Sequence, residues 1–444
     1  MCLRIFFALI CFVPSILMAQ SKVLSIEGGK IQGGACATPD ITVYKGIPFA
    51  APPIGELRWK RPQPVVPWDG IKVADKYMGK PWQKGPNKRA FYYNEIWKND
   101  STKCTEDCLY LNIWAPTETL NNKTANLPVV MWIHGGAYMN GHAHQINMDG
   151  EAWAKRGVIF VSIEYRLGIL GFLSHPELSK ESPDGISGNY GLYDQIAALK
   201  WIYNNIMMFG GNPQNITVMG QSAGCLSAKN LVISPLSKGM IKHCILESGG
   251  GLGDFMVYNY RNSVQNDSLG LEIMSKAGYK SLEQMRNASP EELLKINAVQ
   301  ISQPYDDGIV LNKKFKEAVL NGDVADIEYL IGYNLDDIRP MNKDVDDFCY
   351  ARDSLGSKPV YQYLFARKLP GDKSGAFHNA ALWYTFGTLD KCWRPFTDAD
   401  YALADEILDY WTNFAKTGNP NGSGREKWYP FSIKNPYVMT LNIK

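Results

Sequence analysis

Ile216-Thr217-Val218-Met219-Gly220-Gln221-Ser222-Ala223-Gly224-Cys225-Leu226-Ser227-Ala228-Lys229-Asn230-Leu231 is the stretch that decides the fold. Its first four residues alternate and are rich in β-branched side chains, which predicts a strand. From Cys225 the spacing suits a helix. Between them stands G-x-S-x-G, a sharp strand-to-helix turn that holds its central side chain exposed and strained. Gly220 and Gly224 flank Ser222 where a Cβ would collide with neighbouring backbone. The turn also places the Ala223 N–H at a helix N-terminus, where it can bind an oxyanion.

Outward from this turn, short apolar runs alternate with helical patterns, which predicts an α/β protein with a central, mostly parallel sheet. Strands are expected at 129–133, 158–163, 216–219, 244–248, 329–333 and 360–365, and helices at 194–209 and 400–416. Ligands of such sheets sit outside the carboxyl ends of the strands. The glycine pair after residue 133, the turn at Ser222, and the loops after Tyr333 and Phe365 are therefore expected to open onto one face.

A serine hydroxyl needs a base to take its proton, and the base needs a carboxylate to orient it. The chain has six histidines. His134 abuts the glycine pair and is read as shaping that loop. His243 precedes an apolar strand, and His175 sits in a Ser-His-Pro turn. His142 and His144 form an H-x-H pair without an evident third ligand and are read as a solvated loop, so no metal is expected. His378, in the loop after the last long strand, is the candidate base. The acid then falls between Ser222 and His378, and Asp336 and Asp337 are the candidates. Gly135 and Gly136 can bring backbone N–H groups close to an oxyanion.

Composition narrows the class. Hydrophobic content of 45% against 20% charged residues describes a globular protein with a large core. A net charge of +2 with mixed signs gives no nucleic-acid signature. There is no phosphate-binding glycine loop. Residues 1–19 carry Arg4, then an apolar run, then Ala19, and are expected to be a signal peptide that directs export to the periplasm or beyond. No later stretch is long enough to span a bilayer. Removing 1–19 leaves seven of the nine cysteines, among which Cys104 and Cys108 are near enough in sequence to pair.

The run from Phe209 to Gly224 resembles the serine signature of the type-B carboxylesterase and cholinesterase family. Glu106 to Pro116 is similar to its second signature, and Tyr44 to Pro53 to its N-terminal stretch. The resemblance extends from about Gly28 to Asn421. Gly375-Ala376-Phe377-His378 and Trp393-Arg394-Pro395 suggest the bacterial para-nitrobenzyl-esterase-like branch. The resemblance implies an α/β-hydrolase fold over residues 20–444 and hydrolysis of small carboxylic esters through an acyl-enzyme, with no cofactor. It implies Ser222, His378 and Asp337 as catalytic residues, Asp337 falling on the family's acid position. Gly135, Gly136 and Ala223 would form the oxyanion hole.

Departures from the family pattern carry expectations of their own. Asp337 stands where many members have Glu, so its loop must bring it nearer His378. Gln221 replaces a common acidic residue, which disfavours a cationic choline substrate. Ala381 stands where a Glu often follows the histidine. Trp82 lies near the usual first cysteine of a disulfide to the Cys108 position. The short interval from Asp337 to His378 predicts a reduced helical cap and an open pocket. Ser248 is a candidate hydroxyl near the acid. The rivals are a non-catalytic adhesion or binding protein and a lipase. The first is disfavoured because serine, base, acid and glycines are all present. The second is disfavoured because no apolar lid is evident.

Overall fold

A computed structural model describes residues 22–253 and 261–443. The expected signal peptide, residues 1–19, lies outside the described residues.

A twelve-stranded sheet runs through the molecule. Its strands are β1 (Val23–Ile26), β2 (Gly29–Ala35), β3 (Ile41–Pro48), β4 (Ile71–Ala74), β5 (Tyr110–Pro116), β6 (Leu127–Ile133), β7 (Ile159–Ile163), β8 (Gly211–Gln221), β9 (His243–Glu247), β10 (Glu328–Asn334), β11 (Val360–Phe365) and β12 (Val438–Leu441). Their order is β1-β2-β3-β5-β7-β6-β8-β9-β10-β11-β12, with β4 beside β2. From β7 to β12 every pairing is parallel, whereas β1, β2, β3, β5 and β7 pair antiparallel.

The parallel strands read as unbroken apolar runs because both of their faces are covered. In β6, Val129, Met131 and Ile133 join one core, and Val130 and Trp132 join the other. That division follows from the period of two along a strand. The first core takes Leu199 and Ile202 from helix α1 (Tyr190–Asn205) and Leu226 and Leu231 from α2 (Ala223–Ile233). The second takes Ile407, Trp411 and Phe414 from the long helix α5 (Asp398–Thr417). Helix α4 (Asn342–Ser354) adds Val345 and Phe348 to the first core, and α3 (Ser263–Lys276) packs Ile273 and Met274 into a third, smaller cluster.

The expected strands are all present. The helix expected from Asp194 starts earlier, at Tyr190, and its last turn tightens to a 3-10 form over Ile206–Phe209. Asp194 is thus inside the helix. It is fully buried and holds Arg166 through two guanidinium hydrogen bonds of 2.7 and 2.8 Å, so the carboxylate that looked like a helix start is an internal ion pair. α5 stops at Gly418, whose φ of 75° supplies the left-handed turn that ends a helix. Trp383, Tyr384 and Phe386 are core, while Trp393 is half exposed. Cys104 and Cys108 are not bonded to each other, and all seven described cysteines are free thiols. Among the described residues no helix is long and apolar enough to cross a membrane.

The register aligns the carboxyl ends of the central strands. Gly220 of β8 pairs with Ile133 of β6, Gln221 with Glu247 of β9, and Glu247 with Gly332 of β10. The segments that follow β6, β8, β10 and β11 therefore emerge at one edge, as expected. Between Asp337 and His378 the chain makes α4 and β11 and little else, so little is built over the site from that interval.

Candidate active site

Ser222 sits between β8 and α2 with φ 57° and ψ −124°, a backbone conformation that costs on the order of 1–3 kcal/mol. Crowding enforces it. A Cβ on Gly220 would lie 2.2 Å from the Gly224 carbonyl oxygen, and one on Gly224 would lie 2.0 Å from the Ile133 carbonyl oxygen. The Ser222 N–H donates to the Glu247 carbonyl at 3.0 Å, tying the turn to β9. Ala223 opens α2, so its N–H is one of the unpaired donors of an eleven-residue helix.

The glycine pair follows β6 and abuts the turn. A Cβ on Gly135 would lie 2.8 Å from the Gln221 carbonyl oxygen and 3.0 Å from the Ser222 Cβ. The Gly135 backbone thus lies against Ser222, and Gly136 packs against Asn140. His134 is fully buried beneath, with Nδ1 2.8 Å from the Gly135 carbonyl, and shapes the loop as expected. Burial pushes its pKa down to about 4 against the pull of Glu164, so it is neutral at ordinary pH.

His378 donates from Nδ1 to Asp337 Oδ1 at 2.5 Å. Asp337 is buried behind it, and its carboxylate also accepts the Ile338 N–H at 2.9 Å and the Asn334 N–H at 3.3 Å. The turn from Asn334 to Ile338 is what brings the shorter acid within reach. Asp336 does something else: its Oδ2 accepts the Ala376 N–H at 2.9 Å, holding the histidine loop. The structure so separates the two acids that the sequence left adjacent.

Two side chains that sequence reasoning did not single out for this purpose hold His378 in place. Asn334 Nδ2 donates to the Phe377 carbonyl at 2.5 Å, and Gln221 Nε2 donates to the His378 carbonyl at 3.0 Å. The residue noted for a missing charge is therefore also a bridge from the serine turn to the base loop. Ser248 is buried at φ 47°, and its N–H donates to the Gly332 carbonyl.

Ser222, His378, Gly135 and Gly136 all line one cavity of about 850 Å³. Tyr92, Trp97, Met139, Leu293, Val299 and Ile338 give it large apolar walls. A serine on a strained turn, an imidazole oriented by a carboxylate and converging backbone N–H groups are the parts that acyl transfer requires.

Beneath the turn, Glu247 ends β9 fully buried, with Oε1 accepting the Trp411 indole N–H at 2.8 Å. Oε2 has no hydrogen-bond partner among the described residues. Burial pushes this carboxyl up to about 8. A carboxyl raised in the folded state above its unfolded value near ~4.3 adds stability below that value and loses it as pH rises through the folded pKa. Glu247→Gln keeps an acceptor for Trp411 and removes the titration. The wild-type urea midpoint, taken relative to this variant, is expected to fall between about pH 5 and pH 8. A difference that stays constant with pH would show that Glu247 does not titrate there.

Two expectations for the remaining histidines need correction. His243 is part of β9 rather than ahead of it, and its Nδ1 lies 3.0 Å from Glu328 Oε2. His142 and His144 are not a solvated loop. The His142 side chain is 2% exposed and that of His144 6%. Glu164, the residue after β7, faces both. The signal was a charged residue closing an apolar strand, and no spacing rule joins it to an H-x-H pair two elements earlier.

The carboxylesterase family model matches residues 20–354 and 344–444. The chain belongs to the carboxylesterase family: it has the α/β-hydrolase fold and is a carboxylic ester hydrolase. It is 34% identical over 396 residues to the fumonisin B1 esterase of Sphingopyxis macrogoltabida, covering 85% of this chain and 64% of that enzyme. It is 30% identical over 466 residues to the para-nitrobenzyl esterase of Bacillus subtilis, covering 90% of this chain and 91% of that one. A solved para-nitrobenzyl esterase superposes with a TM-score of 0.83 at 27% identity, covering 96% of both chains. Sequence and fold together put it beside the para-nitrobenzyl-esterase-like branch.

Proposed function

We propose that this chain is an exported serine hydrolase that cleaves small carboxylic esters through an acyl-enzyme. Ser222 Oγ attacks the ester carbonyl. His378 takes the serine proton and returns it to the leaving alcohol. Asp337 holds the imidazole in the tautomer with Nδ1 protonated and stabilises the imidazolium. The N–H groups of Gly135, Gly136 and Ala223 receive the oxyanion, each such donor contributing roughly 3–4 kcal/mol to the transition state. Water then enters by the same route and releases the acid, His378 acting first as base and then as acid.

The observation that carries this reading is the shared cavity. Ser222, the glycine pair and His378 come from three separate elements and line one apolar space, with Asp337 bonded behind the base. A serine-reactive fluorophosphonate probe is expected to label Ser222. Absence of labelling in folded protein would favour the binding-protein alternative. The apolar walls fit an uncharged aryl or alkyl ester better than a choline ester.

Export rests on residues 1–19, with residues 20–444 forming the hydrolase domain. N-terminal sequencing of the protein recovered outside the cytoplasm is expected to start near Gln20. An intact Met1 in that fraction would remove the signal peptide.

A further inference from the structure

Behind the glycine loop lies a cluster that the ester chemistry does not use. His142 and His144 stand on the segment after Gly141, and Glu164 follows β7. One ligating atom from each of these three residues lies within 4.8 Å of the other two. None of the three lines the large cavity, although Thr102, Gly141 and Gln145 beside them do.

The hydrogen bonds fix which nitrogens of His142 and His134 carry protons. His142 Nε2 lies 3.2 Å from Asp100 Oδ2, and a carboxylate can only accept, so the proton is on Nε2. That leaves a lone pair on His142 Nδ1, which is buried and has no hydrogen-bond partner among the described residues. His144 Nε2 faces Thr102 Oγ1 at 3.5 Å. His144 Nδ1 lies 3.2 Å from Glu164 Oε1 and makes no hydrogen bond of good geometry among the described residues. Glu164 Oε1 accepts the Ala143 N–H at 2.9 Å, while Oε2 is buried and unpartnered. His134 adds a further acceptor. Its Nδ1 donates to the Gly135 carbonyl, so the bare Nε2 faces Glu164 Oε2 at 3.7 Å, acceptor against acceptor.

Several lone pairs thus converge in a buried space with nothing to donate to them. Buried polar atoms are nearly always satisfied, and a group of unsatisfied acceptors marks a missing water or ion. One water has two protons and cannot serve them all. A dication can. Two imidazoles and a carboxylate are the borderline nitrogen and oxygen ligands of zinc, with bonds of ~2.0–2.2 Å. The surroundings complete the pattern: Asp100 on the far nitrogen of His142 makes a carboxylate–histidine–metal relay of the kind that orients metal ligands. Lys80 in turn bonds Asp100 at 2.5 Å.

We propose that His142, His144 and Glu164 bind one divalent transition-metal ion, zinc by its ligand set, which fastens the loop carrying Gly135 and Gly136 to the end of β7. The ion is structural. It stands behind the cavity wall and touches no reacting atom. Binding draws the three ligands together and ties the segment after Gly141 to the end of β7.

The test is a metal titration of the full-length mature protein stripped with dipicolinate. Zinc chloride is expected to bind at one equivalent per chain and to raise the melting temperature. Cobalt chloride is expected to give visible d–d absorption of a low-coordinate nitrogen and oxygen site. His142→Ala/His144→Ala is expected to lose the stoichiometric binding and the cobalt spectrum, and Asp100→Asn to weaken zinc by ~10–100-fold. A wild-type protein that takes up no zinc overturns the proposal, whether or not the double variant folds. So does zinc uptake that is equal in wild type and a folded double variant. Neither readout depends on ester turnover, so failure here leaves the assignment of Ser222 untouched.

Discussion

Ser222→Ala is expected to lower kcat for a short-chain aryl ester by on the order of 10⁶-fold, with the melting temperature close to that of wild type. The size follows from what the hydroxyl does: without it there is no acyl-enzyme, and the base has nothing to deprotonate but water. The oxyanion donors remain and keep a residual rate above water. The fold should tolerate the change. Ser222 is 8% exposed at the cavity wall, and its tie to β9 runs through the backbone N–H, which alanine keeps. The strained turn is imposed by the close approach of Gly220 and Gly224 to neighbouring carbonyls, not by the serine side chain. Undiminished turnover would place the chemistry elsewhere in the molecule.

Asp337→Asn is expected to lower kcat by about 10⁴-fold, whereas Asp336→Asn costs far less. An amide at 337 can bond Nδ1 in either orientation, so the imidazole is no longer held in one tautomer. It is also neutral, and the imidazolium formed during attack loses its counter-charge. Asp336 supports the loop from the other side: its carboxylate accepts the Ala376 N–H, and Asn334 independently holds the Phe377 carbonyl. An amide at 336 still offers an oxygen to the Ala376 N–H, and Gln221 also holds the His378 carbonyl, so the base loop loosens by about 1 kcal/mol at most. Steady-state kinetics on both variants decides between them. Equal losses would mean that Asp337 has no special role.

The sequence carried the architecture well because the physics there is local. Gly220 to Gly224 between a β-branched run and a helical run allows few alternatives to the turn, and the apolar strands announce a sheet covered on both sides. The loop after β11 comes to the serine turn, and His378 lines the same cavity as Ser222. What stayed hidden was long-range. Asp336 and Asp337 are neighbours of one chemistry, and only the turn from Asn334 to Ile338 aims one at the imidazole and the other at the Ala376 N–H. Gln221 looked like an electrostatic substitution and is also a hydrogen-bond bridge across 157 positions.

By itself the sequence determined a serine turn, a glycine pair, a loop histidine and an α/β sheet to carry them, because each is written in contiguous residues with a fixed local geometry. Tertiary structure alone decided that Asp336 holds the Ala376 N–H while Asp337 faces His378, that Glu247 is a buried carboxyl with a raised pKa, and that His142 and His144 meet Glu164 in a buried acceptor cluster. Those depend on which side chains the sheet order and its register bring together out of water, and burial and partnership are properties of the folded chain rather than of any one segment.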